Sequence, residues 1–130
     1  MKLNSKRVQV QKSADALCDF LGNVSNFEKL MPENTTKFEM LSDKSFVFAL
    51  KGMPDIALEL KEIQKPNKVV LGSVSDNIPF TITGNIQEVS ENEASIELLF
   101  DGKLNAMMAI MAKSPLSKFM DKLTDNLQKL

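Results

Sequence analysis

Two pairs of opposite charges at strand spacing, Glu59 with Lys61 and Asp101 with Lys103, are the arrangement acid–base catalysis would use. A carboxylate and an ammonium held side by side can take a proton from a substrate and return it. Where they point is decided by alternation, because residues i and i+2 of a strand share one face. Both pairs fall opposite apolar neighbours, Leu58 and Leu60 in one case and Leu98 and Phe100 in the other. They are therefore read as a solvated outer surface, and Thr81 and Thr83 likewise. Glu28 stands three residues after Ser25, the spacing of a capping box in place of a catalytic carboxylate. Cys18, the sole cysteine, shares a helical face with Leu17 and Leu21, which reads as a buried thiol. One cysteine permits neither an intrachain disulfide nor a cysteine metal cluster. The chain has no histidine, so Ser-His-Asp and Cys-His sites and histidine-held zinc are excluded. Its five glycines are isolated from one another and build no phosphate loop. No catalytic residue, metal ligand or cofactor is assigned. Enzymatic activity stays undecided, with the residues weighing against it.

A different chemistry is offered by "NAMMAIMAKSPLSKFM", residues 105–120. It holds Met107, Met108, Met111 and Met120, half of the eight methionines, beside Phe119. Methionine is an unbranched, polarizable gap filler favoured at adaptable apolar binding surfaces. The cluster reads as a pocket wall, with plain core and a self-association surface as the other two readings. The elements around it must decide.

Residues 3–10 alternate as a first strand, with Val8 and Val10 on one face. Ser13 is placed to cap a helix that has Asp15 in its first turn and Gly22 as its stop. Ser25 and Glu28 then open a short second helix through Phe27, Leu30 and Met31, which Pro32 ends. From residue 35 the period changes to two. Six runs follow at 35–41, 44–51, 56–64, 68–75, 79–89 and 93–104. Turn residues separate them: Ser42-Asp43, Gly52 with Pro54-Asp55, Pro66-Asn67, Asp76-Asn77 and Glu91-Asn92. Phe46, Phe48 and Leu50 point one way, as do Ile56, Leu58 and Leu60, then Phe80, Ile82 and Ile86, then Ile96, Leu98 and Phe100. The sheet thus has one apolar and one wet face, and something must cover the apolar one.

The C-terminal segment supplies the cover. Leu116, Phe119, Met120, Leu123, Leu127 and Leu130 recur at spacings of three and four. Ser114-Pro115 is expected to be its N-cap and first position. Leu104, Met107, Met108 and Met111 then form a separate stripe before a break at Lys113–Ser114. Strands grouped between helices define an α+β class. The chain, residues 1–130, is expected to be a single domain.

Sixteen basic and seventeen acidic residues leave a net charge of -1. That balance does not attract a phosphate backbone, so no nucleic-acid partner is expected. No apolar run reaches the length of a signal peptide or a membrane span, which points to a cytoplasmic protein without stable membrane insertion. A homodimer is left open.

The order strand, helix, short helix, six strands, long helix resembles the START-like, or SRPBCC, helix-grip superfamily. The motifs that carry the resemblance are "SNFEKLMP", the pair "ITGNIQEV" and "EASIELLFDG", and "SPLSKFMDKLTDNLQKL". It implies a curved antiparallel sheet of about seven strands (β-α-α-β6-α) wrapped around a long C-terminal helix. It also implies a cavity between sheet and helix, holding a hydrophobic or amphipathic small molecule such as a lipid, quinone or polyketide. Phe48, Leu58, Leu60, Ile82, Leu98 and Phe100 would line that cavity from the sheet. Met107, Met108, Met111 and Phe119 would line it from the helical segment. A non-catalytic carrier or sensor is the favoured function. A cyclase- or hydratase-type enzyme using the same cavity and a ligand-free interaction module are the alternatives.

Overall fold

A computed structural model describes residues 1–74 and 79–130. Its elements run β1 (Lys2–Asn4), β2 (Val8–Val10), α1 (Ala14–Gly22), a 3₁₀ helix (Val24–Leu30), β3 (Thr35–Ser42), β4 (Ser45–Leu50), β5 (Ile56–Gln64), β6 (Lys68–Ser73), β7 (Phe80–Ser90), β8 (Glu93–Gly102) and α2 (Ala106–Gln128). The eight strands form one antiparallel sheet in the order β1-β8-β7-β6-β5-β4-β3, with β2 also on β8. From β3 to β8 each strand pairs with its sequence neighbour, the meander expected of short turns. The anticipated Asp76-Asn77 turn and the end of the 68–75 run lie outside the described residues.

The first strand departs from expectation. Residues 3–10 form two short segments on one edge of β8, with Leu3 opposite Phe100 and Val8 opposite Ile96. Ser5 interrupts the ladder and repairs it. Its N–H donates to the Leu98 carbonyl at 2.8 Å, and its Oγ accepts from the Leu98 N–H at 2.9 Å. Alternation alone gives no sign that a hydroxyl replaces a backbone partner there.

Ser13 caps α1 as expected, accepting from Ala16 N at 3.1 Å, with Asp15 in the first turn. The capping box does not form. Ser25 lies inside the 3₁₀ helix and its Oγ donates to Asn23 Oδ1, so Asn23 occupies the cap position. The helix already begins at Val24, so Ser25 is a helical residue and cannot stand at the cap position.

The larger correction concerns the C-terminal helix. It has no break at Lys113–Ser114. α2 is continuous from Ala106 to Gln128 with Pro115 inside it. Asn105 is the N-cap, its Oδ1 accepting from Met108 N at 2.8 Å. A cap of that kind is worth about 1 kcal/mol and moves the start upstream of the proline. Pro115 has no N–H to offer the Met111 carbonyl. Met111 is 73% exposed, so that carbonyl lies where solvent can replace the missing donor.

The apolar face of the sheet and the C-terminal half of α2 enclose one core. Phe46, Phe48, Leu58, Ile96, Met120 and Leu127 are among its most buried side chains. α2 packs on β1, β2, β8 and the 3₁₀ helix. Thr124, fully buried, satisfies its hydroxyl within the helix on the Asp121 carbonyl at 2.8 Å. Asn126 ties helix to helix through the Leu30 carbonyl, also at 2.8 Å. β4 is buried on both faces, against the expected wet outer side. The outward Val47 and Ala49 are small and sit beside Glu39 and Lys37 across the ladder.

Ser5→Ala removes the acceptor of a buried N–H and should cost about 1–3 kcal/mol. Urea unfolding should report it as a lower midpoint at unchanged slope.

Candidate ligand-binding site

Between sheet and helix runs a line of aromatic rings. Phe27 and Phe38 flank Phe46 at 5.5 and 5.1 Å between centroids, Phe46 neighbours Phe48 at 6.1 Å, and Phe48 stacks on Phe119 of α2 at 5.0 Å and 11°. Alternation puts Phe46 and Phe48 on the inward face of β4. The helical period turns Phe119 down onto them together with Leu123. Such stacked pairs add about 0.5–1.5 kcal/mol beyond their burial.

Phe119 divides the residual space inside the molecule. On one side a void of about 20 Å³ is enclosed by the 3₁₀ helix, the middle strands and the end of α2, including Phe27, Leu30, Val69, Leu71, Leu98 and Leu127. On the other side a second void of about 20 Å³ is enclosed by Phe48, Leu50, Met53, Ile56, Phe80 and Leu116. Leu58, Ile82 and Phe119 belong to both. Every side chain around either void is apolar, and Gly84 adds only backbone. The second void abuts an open surface cleft of about 540 Å³, with which it shares Leu50, Met53, Pro115 and Phe119. The outer void thus adjoins both the cleft and the inner void, and Phe119 borders all three.

Each void has room for about one water molecule, far below the roughly 300–1,000 Å³ of a small-molecule pocket. An apolar guest must displace side chains. Phe119 borders both voids and the cleft, whereas Leu58 and Ile82 border the two voids alone.

The anticipated lining residues separate into three groups. Leu58, Ile82 and Phe119 border both voids, Leu98 the inner one and Phe48 the outer one. Leu60 is half-buried against the core and Phe100 is buried and stacked on Phe80 at 5.3 Å; neither borders a void. Met107 and Met111 are 72% and 73% exposed, and Met108 is half-buried; none borders a void or the cleft. The reason is the uninterrupted helix: the first two turns of α2 lie exposed, whereas Met120, five residues past the proline, is 1% exposed. The sequence reading passed over Phe27, Leu30, Val69, Leu71 and Leu127 as site residues. Their inward period was visible, but the depth of the space behind Phe119 was not.

The charged pairs lie outside. Glu59 and Lys61 form a surface ion pair, and the stem of Lys61 crosses Gly72 so closely that a Cβ there would stand 2.7 Å from it. Asp101 and Lys103 are exposed, and Glu28 contributes only its backbone carbonyl to Met31 N. No group of three metal-ligating side chains occurs among the described residues. Cys18 is 1% exposed in the core, and burial pushes its thiol pKa up, which disfavours the reactive thiolate.

Two outcomes follow. Met107→Gln with Met111→Gln should leave stability within about 0.5 kcal/mol, whereas Met120→Ala should cost about 2–5 kcal/mol in chemical denaturation. Cys18 should react with a disulfide reagent such as Ellman's only when the protein is unfolded.

No family model matches the sequence, and no curated protein matches it either. Its fold, in contrast, is shared with solved structures. The protein XoxI from Bacillus cereus superposes with a TM-score of 0.76 at 10% identity, over 98% of this chain and 93% of that one. A START superfamily protein from Mycobacterium smegmatis gives 0.70 at 12% identity, over 98% and 94%. Norcoclaurine synthase from Thalictrum flavum gives 0.76 at 10% identity, over 99% and 84%. An open antiparallel sheet of eight strands closed by one long C-terminal helix, with these neighbours, is the START-like, or SRPBCC, fold.

Proposed function

We propose that this chain is a cytoplasmic binding protein that takes an apolar or amphipathic small molecule, such as a lipid, quinone or polyketide, between its sheet and α2. One observation carries the reading: two apolar voids and a surface cleft meet at a single side chain, Phe119. A ligand entering from the cleft would swing that ring aside and occupy the joined space. Phe48, Leu58, Ile82 and Leu98 would supply its burial, each such side chain contributing roughly 1.5–3 kcal/mol when fully covered. The reading is of a carrier or sensor because the linings of both voids hold hydrocarbon, aromatic and thioether groups, which orient and bury a guest but move no proton. No helix among the described residues is long and apolar enough to cross a membrane.

The fold also houses chemistry. The Thalictrum flavum norcoclaurine synthase is a neighbour solved in complex with dopamine and hydroxybenzaldehyde. A cyclase-type reading of this chain would need an acid or base that reaches the guest once Phe119 has moved.

Phe119→Ala is the decisive variant. It should cost about 3–5 kcal/mol of stability. At the same time it should tighten the binding of a fluorescent apolar probe such as N-phenyl-1-naphthylamine, since the ring no longer has to be displaced. Native mass spectrometry of the unsubstituted protein should show a co-purified apolar species. Absence of such a species, with no probe binding to either form, would exclude the proposal and favour a ligand-free interaction module.

A further inference from the structure

The cleft outside the voids has a chemistry of its own. Its floor is apolar where it meets the outer void, through Leu50, Met53, Pro115 and Phe119. Its walls are cationic. Lys118, Lys122 and Lys129 stand at spacings of four and seven along α2, which puts them in one stripe, and Lys51 approaches from the β4–β5 connection. None of these four lysines forms an ion pair among the described residues, whereas five lysines elsewhere do. Two carboxylates share the walls, Glu33 and Asp125. Asp125 is already engaged by Lys6, and that contact, with help from the charges of Lys122 and Lys129, holds its pKa below the usual carboxylate value. The other acid on this stretch of α2, Asp121, lies outside the cleft.

We infer that the ligand is an amphiphile with an anionic head, a carboxylate or phosphate on a single apolar chain, whose head rests among Lys51, Lys118 and Lys122 while its tail passes Phe119 into the core. The inference rests on the proposed function, because the tail needs the space behind Phe119. The juxtaposition matters more than the charge count. A chain with net charge -1 has no general surplus of cations to scatter. Here lysines that form no ion pair among the described residues line a cleft that adjoins an apolar interior. A neutral amphiphile would leave those ammonium groups as they are. An anionic one gains charge-assisted hydrogen bonds from flexible donors that can follow it.

Binding of oleic acid, oleyl alcohol and oleyl phosphate, measured by displacement of N-phenyl-1-naphthylamine, tests this. The acid and the phosphate should bind at least about tenfold more tightly than the alcohol, with the preference shrinking as salt is raised. Lys118→Gln with Lys122→Gln should abolish the preference and leave alcohol binding unchanged, whereas Lys44→Gln, in the β3–β4 turn, should alter neither. All three residues are exposed, so folding is preserved. Equal affinity for acid, phosphate and alcohol would overturn the anionic head and leave the apolar site standing. A preference that survives the double substitution would overturn the assignment to this cleft. No binding of any of the three would overturn the site itself.

Discussion

The apolar face of an eight-stranded sheet has to be covered, by α2 over β1, β2 and β8 and by α1 over β5 to β8, and the rest of this protein follows from how the long helix does so. Every strand from β4 to β8 presents buried phenylalanine, leucine, isoleucine or valine on that face, with Gly84 interrupting the row on β7. Left wet, that face would cost the fold its main driving force. α2 lowers Phe119, Met120, Leu123 and Leu127 onto it, and the stack of Phe119 on Phe48 is where helix and sheet meet ring to ring. The 3₁₀ helix and α1 close the remaining end, and Asn126 pins the helix to the Leu30 carbonyl. α2 does not fill the apolar face of the sheet completely, and the two small voids beside Phe119 are what is left over.

That same geometry divides α2 into two parts with different roles. Its C-terminal half is locked by burial. Its first two turns carry Met107, Ile110 and Met111, each more than two-thirds exposed, and hold few contacts that would resist movement. Regions with little buried apolar surface open at lower cost than the core. Pro115, which leaves the Met111 carbonyl without its helical donor, lies between the halves, next to the outer void and the cleft. The missing helical hydrogen bond thus lies beside the route that the proposed ligand would take. A cationic mouth over an apolar interior fits a guest that is itself divided into head and tail.

Much of this was legible from residue types alone. Period-two alternation from residue 35 onward located all six strands to within a few residues, and Ser13 marked the start of α1. Opposing faces correctly placed Glu59, Lys61, Asp101 and Lys103 outside. These features are local: a strand's faces and a helix's cap follow from neighbours one to four positions away. The misreadings share a cause as well. Ser114-Pro115 looked like a helix start because nothing local says that Asn105 has already nucleated one. Residues 3–10 looked like one strand because the Ser5–Leu98 hydrogen bonds join positions 93 apart in sequence.

What the sequence determined by itself is therefore the element order, the apolar inner face and the absence of histidine, hence the α+β class and the exclusion of histidine chemistry. What only the tertiary structure decided is which apolar residues border open space and which are solid core. Met107 and Met111 have the helical spacing of lining residues, yet they lie outside; Leu71 and Leu127, not anticipated as lining residues, stand around a void. Hydrophobicity drives both kinds of residue inward or leaves them at an edge without distinction. Whether a gap remains beside them depends on how helix and sheet meet, and that is settled between residues far apart in the chain.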